Sequence, residues 1–340
     1  MVSELDRWAL RNYQVYADQL GDDGQADLMA HILNIAEEER TYWSPRNERM
    51  RDEHNTFALR TPPGMLGRSK VTADNKQAQG VTDQDVADNV ETVTLPDPYT
   101  FVMKIIGAIT AAGFTLDMPS QSIRDHQASQ TVENFLDWWW REWSSRSRRT
   151  RKGAVDRYLG FTGGLRGWMC VLTMPNSADP RFPYRFQAHD PLEVYPRWSD
   201  DDLLRVIHDY EVTVLEAIRA YPDMEERLRS YKDTDVVRVV GFYDAVYHCI
   251  ILDGKSYASP SASDGTYRDS HLMKRVMRHG LVDFYEQPIV PWLIERPQGD
   301  LSGGLNEEST ELNGPGLLFG MTEVYFALCR AASMLLTNLA

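Results

Sequence analysis

Residues 204–222, LRVIHDYEVTVLEAIRAYP, carry two periods in succession, and the switch between them decides the fold class. Leu204, Val206, His208 and Tyr210 alternate with Arg205, Ile207, Asp209 and Glu211, the period-two pattern of a strand with one apolar face. Thr213-Val-Leu-Glu216 then reads as a capping box, in which the threonine hydroxyl and the glutamate carboxylate each satisfy a backbone N–H at a helix start. The short helix it opens stops at Tyr221-Pro222, because proline carries no N–H and pushes its predecessor out of helical geometry. Downstream, Val236 to Tyr243 and Tyr247 to Leu252 read as strands, the second ending in a hairpin turn at Asp253-Gly254. Upstream come strands at Trp168–Thr173, Tyr184–Ala188 and Glu193–Arg197, with turns at Asp190-Pro191 and Asp200-Asp-Asp202. A further strand approaches through Gln287 to Ile294.

Helical periods flank this β-rich middle, which makes the class α+β. Tyr99 to Ala112 is an apolar helix closed by Gly113 as its C-terminal cap. Ala128, Val132, Phe135, Leu136, Trp139 and Trp143 follow in the three-four repeat of a buried stripe. A third helix from about Gly153 to Phe161 exits through Gly163-Gly164 and Gly167 into the first strand. Near the N-terminus, Leu5, Trp8, Ala9, Asn12, Tyr13, Tyr16 and Leu20 share a helical face. A second amphipathic helix spans Ala26 to Glu37 after a break at Gly21-Asp-Asp-Gly24. From Ser44 to Glu91 the pattern dissolves into polar sequence around Pro62-Pro63-Gly64, read as an extended arm. Beyond a Gly/Pro/Asn-rich connector, Leu317 to Ala340 reads as one helix apolar on nearly every face. Three parts result: 1–95, a helical and partly extended N-terminal region; 96–300, an α+β domain; and 301–340, the connector and last helix.

That last helix raises the question of a membrane, since 24 residues suffice to span one. Glu323 and Arg330, two turns apart on one side, argue for helix–helix packing instead. Leu317, Met321, Val324, Leu328 and Leu335 are then expected to pack against neighbouring subunits, with Glu323 and Arg330 as polar partners. The start, Met-Val-Ser-Glu-Leu-Asp, lacks the basic and apolar blocks of a secretory signal. Cys170, Cys249 and Cys329 each sit in an apolar run without CxxC spacing, so core residues are expected rather than disulfides or a zinc site.

With 42% apolar and 11% aromatic residues, the 340-residue chain has the material for a core and is not a disordered one. The formal charge of −14 argues against a surface built to clamp nucleic acid. One cluster opposes it: Arg141, Arg146, Arg148, Arg149, Arg151 and Lys152 against Glu142, a local charge of +5. It is read either as a solvated helix end or as an edge that meets DNA phosphates or an acidic neighbouring subunit. No phosphate-binding loop, HExxH, GxSxG or CxxC occurs, so no catalytic residue, metal or cofactor is expected. His208, Asp209 and Asp253 are the nearest thing to a dispersed enzyme site, yet neighbours on a strand point to opposite faces.

The order of elements is itself informative. An apolar helix at Asp97-Pro98, a Trp-rich helix and a Gly-rich exit into a strand precede Ala188-His-Asp-Pro-Leu-Glu-Val-Tyr195. His208-Asp-Tyr-Glu-Val-Thr213, Thr213-Val-Leu-Glu-Ala-Ile-Arg-Ala-Tyr221-Pro, Val239-Val-Gly-Phe-Tyr243 and Pro288-Ile-Val-Pro291-Trp-Leu complete the series. Over roughly residues 96–340 this resembles the portal (head–tail connector) proteins of tailed bacteriophages, where such short motifs recur in order in the wing domain. The resemblance implies a wing of helices and mixed or antiparallel strands leading into a long stem helix that begins near Leu317. It implies a homo-oligomeric ring of about twelve subunits at a capsid vertex of the virion, assembled in the host cytoplasm. Double-stranded DNA passes through such a ring without sequence readout; the major capsid protein, a neck or tail adaptor and the terminase are the implied partners. Another head–tail adaptor or minor capsid protein is the alternative. The first 95 residues have no counterpart in the pattern, and the clip and return helix of the family are expected beyond Ala340.

Overall fold

The computed structural model describes residues 22–59, 95–111, 123–148, 153–175, 184–199, 202–222, 225–229, 231–253, 271–278, 281, 289–295, 314–321, 324–325, 327–329 and 331–332. The helical face from Leu5 to Leu20, most of the expected arm, the cap at Gly113 and the connector before Gly314 lie outside them. The chain is α+β, as the change of period at residue 213 implies. It divides into two compact units, Met1–Ser44 with Cys170–Ile294 and Pro45–Met169 with Glu295–Ala340. Each unit therefore draws on two stretches of chain, a division unlike the three consecutive parts read from the sequence.

The first unit is layered. Helix α1 (Asp22–Tyr42) covers one face of a five-stranded antiparallel sheet ordered β3-β4-β5-β6-β7. Its strands are Val194–Trp198, Leu203–Thr213, Val236–Asp244, Tyr247–Asp253 and His271–Arg278. A second sheet, ordered β2-β1-β8, is built from Met169–Pro175 (β1), Tyr184–His189 (β2) and Trp292–Glu295 (β8). The alternation along β4 sets which side chain meets which layer. Arg205, Ile207 and Asp209 face α1, whereas Val206, His208 and Tyr210 face the other way. Helix α1 buries Leu28, Ile32, Ile35 and Ala36, and each large apolar side chain so buried is worth roughly 1.5–3 kcal/mol. It is also fastened by charge: Glu39, fully buried, accepts from Arg197 at 2.9 Å and Arg205 at 2.7 Å. Trp43 just beyond it donates its indole N–H to the Pro196 carbonyl at 3.0 Å.

Helix α1 begins at Asp22, so Asp22 to Gly24, read as part of a break, belong to its first turn. The capping box forms as read: Thr213 Oγ1 accepts from the Glu216 amide at 3.3 Å, and Glu216 accepts from the Thr213 amide at 3.2 Å. Helix α6 (Val214–Ala220) follows, and α7 (Glu225–Leu228) packs beside it. The Asp253-Gly254 hairpin does not form as a tight turn. Asp253 pairs with His271, so β6 and β7 are joined through residues 254–270, and β7 itself has too many basic and long side chains to read as a strand from sequence. The tight turn lies one strand earlier, where Asp244 Oδ1 accepts from the amides of Val246 at 2.8 Å and Tyr247 at 2.7 Å.

The second unit is helical: α2 (Ser44–Phe57), α3 (Asp97–Ala111), α4 (Ile123–Ser147) and α5 (Val155–Arg166). Its apolar centre is Val102, Ile106, Leu165 and Leu318, with Phe57, Met103 and Phe161 against them. Helix α2 corrects the reading of an extended arm from Ser44. Its sequence is polar but for Pro45, Met50 and Phe57, and its buried face is mostly polar: Arg46, Asn47, Arg49, Glu53 and Thr56 beside Met50. Helix α5 corrects the reading of a glycine-rich exit: Gly160, Gly163 and Gly164 lie inside it. A Cβ on Gly164 would stand 3.2 Å from Leu317 Cδ1 and 3.9 Å from Ile106, so this glycine permits close packing. Gly167 alone ends the helix, with φ 72°.

Candidate functional site

The sequence marks two surfaces, both in the second unit, and one histidine-acid set in the first. Helix α4 carries the first surface. Its three-four repeat is present, but the expected buried stripe is not buried within one chain. Val132 and Phe135 are exposed, Trp138 is 45% exposed, and Leu136, Trp139 and Trp143 are half-covered. From His126 to Arg148 only Ser144 is buried. The tryptophans partly cover one another: Trp139 stacks on Trp143 at 5.4 Å and Trp140 meets Trp143 edge-on at 5.2 Å. Such rings lose little conformational entropy on docking and supply large apolar area.

The basic cluster begins on the same helix. Arg141 pairs with Asp137 at 2.9 Å and Arg146 with Glu142 at 3.1 Å, both four residues apart on exposed faces. Such pairs are worth about 0.3–0.5 kcal/mol each, and they partly neutralise the first two arginines. Arg148 is exposed at the helix end; Arg149, Arg151 and Lys152 lie outside the described residues. Glu142 already enters the count from 141 to 152, whereas Asp137, one turn upstream, does not; including it lowers the +5 read from the sequence to +4.

The second surface is the C-terminal segment. Leu317 to Met321 is a series of turns rather than the start of a helix, with Gly320 at φ 71° and Met321 N–H donating to the Leu318 carbonyl at 3.0 Å. Helical bonding starts with Tyr325 N–H to the Met321 carbonyl at 2.9 Å. Beyond it the helix has two apolar faces. Tyr325 and Cys329 are buried against Leu59 and Leu95, and the Tyr325 hydroxyl donates to the Leu95 carbonyl at 2.8 Å. Met321, Val324 and Leu328 point outward at 50%, 59% and 55% exposure. Leu317 packs at Gly164, while Glu323, Arg330 and Leu335 lie outside the described residues. Among the described residues no helix is long and apolar enough to cross a membrane.

The enzyme candidates do not converge. Asp209 is spent on Arg238 in a two-pronged pair at 2.7 and 2.6 Å, on the face toward α1. His208 is on the opposite face, buried among His189, Tyr210 and Trp292 with ring centroids 4.2–5.3 Å away. Glu193 Oε2 stands 3.7 Å from its Nε2. The side chain of Asp253 lies outside the described residues. Gly241, opposite His208 in the register, leaves space on this face, since a Cβ there would stand 2.8 Å from the Tyr243 ring. Burial pushes the Tyr210, Tyr221 and Tyr243 phenols up, so they stay neutral, and the Tyr210 and Tyr221 hydroxyls hydrogen-bond at 3.0 Å. Cys249 is pushed up to about 12, chiefly by burial, and is an inert thiol. Among the described residues no group of three or more His, Cys, Asp or Glu side chains is placed to hold a metal ion.

No protein-family model matches the chain, and no curated protein matches it.

Proposed function

We propose that the chain is a subunit of a portal-type ring: a conduit for double-stranded DNA at a capsid vertex, acting by position rather than by chemistry. The observation that carries this reading is the pair of apolar faces left outward on α4 and on the C-terminal helix. A chain that exposes Val132, Phe135 and Trp138 on one helix and Met321, Val324 and Leu328 on its C-terminal segment has two separate patches to cover. Two distinct patches suit heterologous, head-to-tail contacts, which close into a ring when the rotation per subunit is a simple fraction of a turn. The order of motifs from Asp97-Pro98 to Pro291-Trp-Leu supplies the kind of ring.

Charge is consistent with passage rather than capture. A subunit of −14, repeated about twelvefold, gives a strongly acidic assembly on which DNA phosphates are not trapped. The partners on this reading are further copies of the chain, the major capsid protein, a neck or tail adaptor, the terminase and DNA. Native mass spectrometry of the purified chain tests it. A single assembly of about twelve copies supports the ring. A monomer or dimer under virion-like conditions counts against it, and a different copy number points to another adaptor or minor capsid protein.

A further inference from the structure

Helix α2 is the most polar of the large helices, yet its inner face is closed to solvent. Arg46, Asn47, Arg49, Glu53 and Thr56 are all buried there, together with Met50. Arg46 lies over the Trp168 ring at 4.5 Å and donates from Nε and Nη2 to Asn47 Oδ1 at 3.1 and 2.8 Å. Arg49 donates from Nη2 to the Gly314 carbonyl at 2.9 Å. Glu53 is 2% exposed, has Arg49 Nε at 3.4 Å, and faces the backbone amide of Gly316.

What Glu53 and Arg49 hold is the strap Gly314-Pro315-Gly316, which runs straight into the C-terminal segment. The strap threads a slot that admits no side chain at three glycines. A Cβ on Gly316 would collide with Glu53 Oε2 and the Leu165 carbonyl, one on Gly314 with the Trp168 indole, and one on Gly167 with the Gly314 and Pro315 backbone. Just past it, the Leu317 amide donates to the Gly164 carbonyl at 2.7 Å. We infer that the buried Glu53 carboxyl is a proton-operated latch on this strap, tight when neutral and loosened when it ionises.

The groups that face Glu53 are Arg49 and Asp52 from its own helix, Arg166 from α5 and the Gly316 amide from the strap. The two guanidinium groups and the amide favour the charged form, Asp52 opposes it, and burial outweighs them all, pushing the carboxyl up to about 7. Opening the strap returns the group to water, where a glutamate titrates at its ordinary value near 4.5. The closed form therefore holds a proton that the open form releases. Below the ordinary value both forms are protonated and the latch is tightest. Between there and about 7 each pH unit favours opening roughly tenfold, and above 7 the effect levels off. The full span is on the order of a few hundredfold in the opening equilibrium. This device rests on no part of the ring reading, and it acts at the point where the segment bearing Met321, Val324 and Leu328 begins.

Amide hydrogen exchange of Leu317 in the full chain, corrected for its intrinsic pH dependence, reads the latch directly. The wild-type protection factor is expected to fall about tenfold per pH unit up to pH 7 and then level. In Glu53→Gln it is expected to stay at the wild-type low-pH value throughout. A wild-type protection independent of pH, or the same slope in the Gln variant, overturns the inference. Should Glu53→Gln not fold, carbon-13 titration of the wild-type Glu53 carboxyl decides. A midpoint near 7 supports the latch, and an ordinary carboxylate midpoint overturns it.

Discussion

Gly167→Ala and Gly107→Ala are the same chemical change with opposite expected signs. Gly167 ends α5 at φ 72°, where an L side chain costs about 1–2 kcal/mol. The new methyl would also stand 2.5 Å from the carbonyl carbon and oxygen of Pro315, and closer still to the Gly314 carbonyl oxygen. These are backbone atoms that no rotamer change removes. Overpacking of this kind costs roughly 1–3 kcal/mol, so the total is about 2–5 kcal/mol. Displacing the strap also strains the Arg49–Gly314 and Leu317–Gly164 hydrogen bonds, which ties this variant to the latch. Gly107 sits mid-helix in α3, and a Cβ there would meet nothing within 4 Å. Alanine at that position is expected to stabilise by about 0.5–1 kcal/mol through helix propensity alone. Urea denaturation, following the transition that exposes Trp168, compares the two midpoints. Equal stability of Gly167→Ala and wild type would refute the slot, and a destabilised Gly107→Ala would refute the placement of α3.

Arg205→Met leaves the fully buried Glu39 with Arg197 alone and is expected to destabilise the first unit by about 3–5 kcal/mol, read by thermal unfolding; an unchanged midpoint would mean that α1 is held by its apolar face alone. Leu328→Asp changes an outward residue, so the single chain should unfold at the wild-type midpoint while higher assembly, followed by native mass spectrometry, is lost. Loss of chain stability together with assembly would place Leu328 in the core instead.

Four of the five strands of the larger sheet were legible, and β7 was not. Leu204 to Val212 shows by alternation which residues face which layer, Val236 to Tyr243 reads as a strand from its nearly continuous apolar run, and Thr213 and Glu216 declare the helix between them. Helix α2 was not legible, because its buried face is written in Arg46, Arg49, Met50, Glu53 and Thr56 and reads as solvent-facing by composition. A signal was present: positions 46, 49, 50, 53 and 56 follow the helical period, and Arg49–Glu53 is an i,i+4 pair. The glycines of α5 misled for a related reason, since Gly164 serves close approach to Leu317 rather than a turn. Of the candidate site, Met321, Val324 and Leu328 share one outward face as the period implies, whereas Leu317 belongs to the turns before the helix. Sequence also reports an apolar stripe on α4 without saying what covers it, because burial within a chain and burial between chains have the same period.

Electron microscopy of the purified chain in negative stain tests the central claim most directly. The account predicts closed rings of about twelve subunits around a central hole. Particles of one or two chains, with no ring at any salt or protein concentration tried, would contradict it.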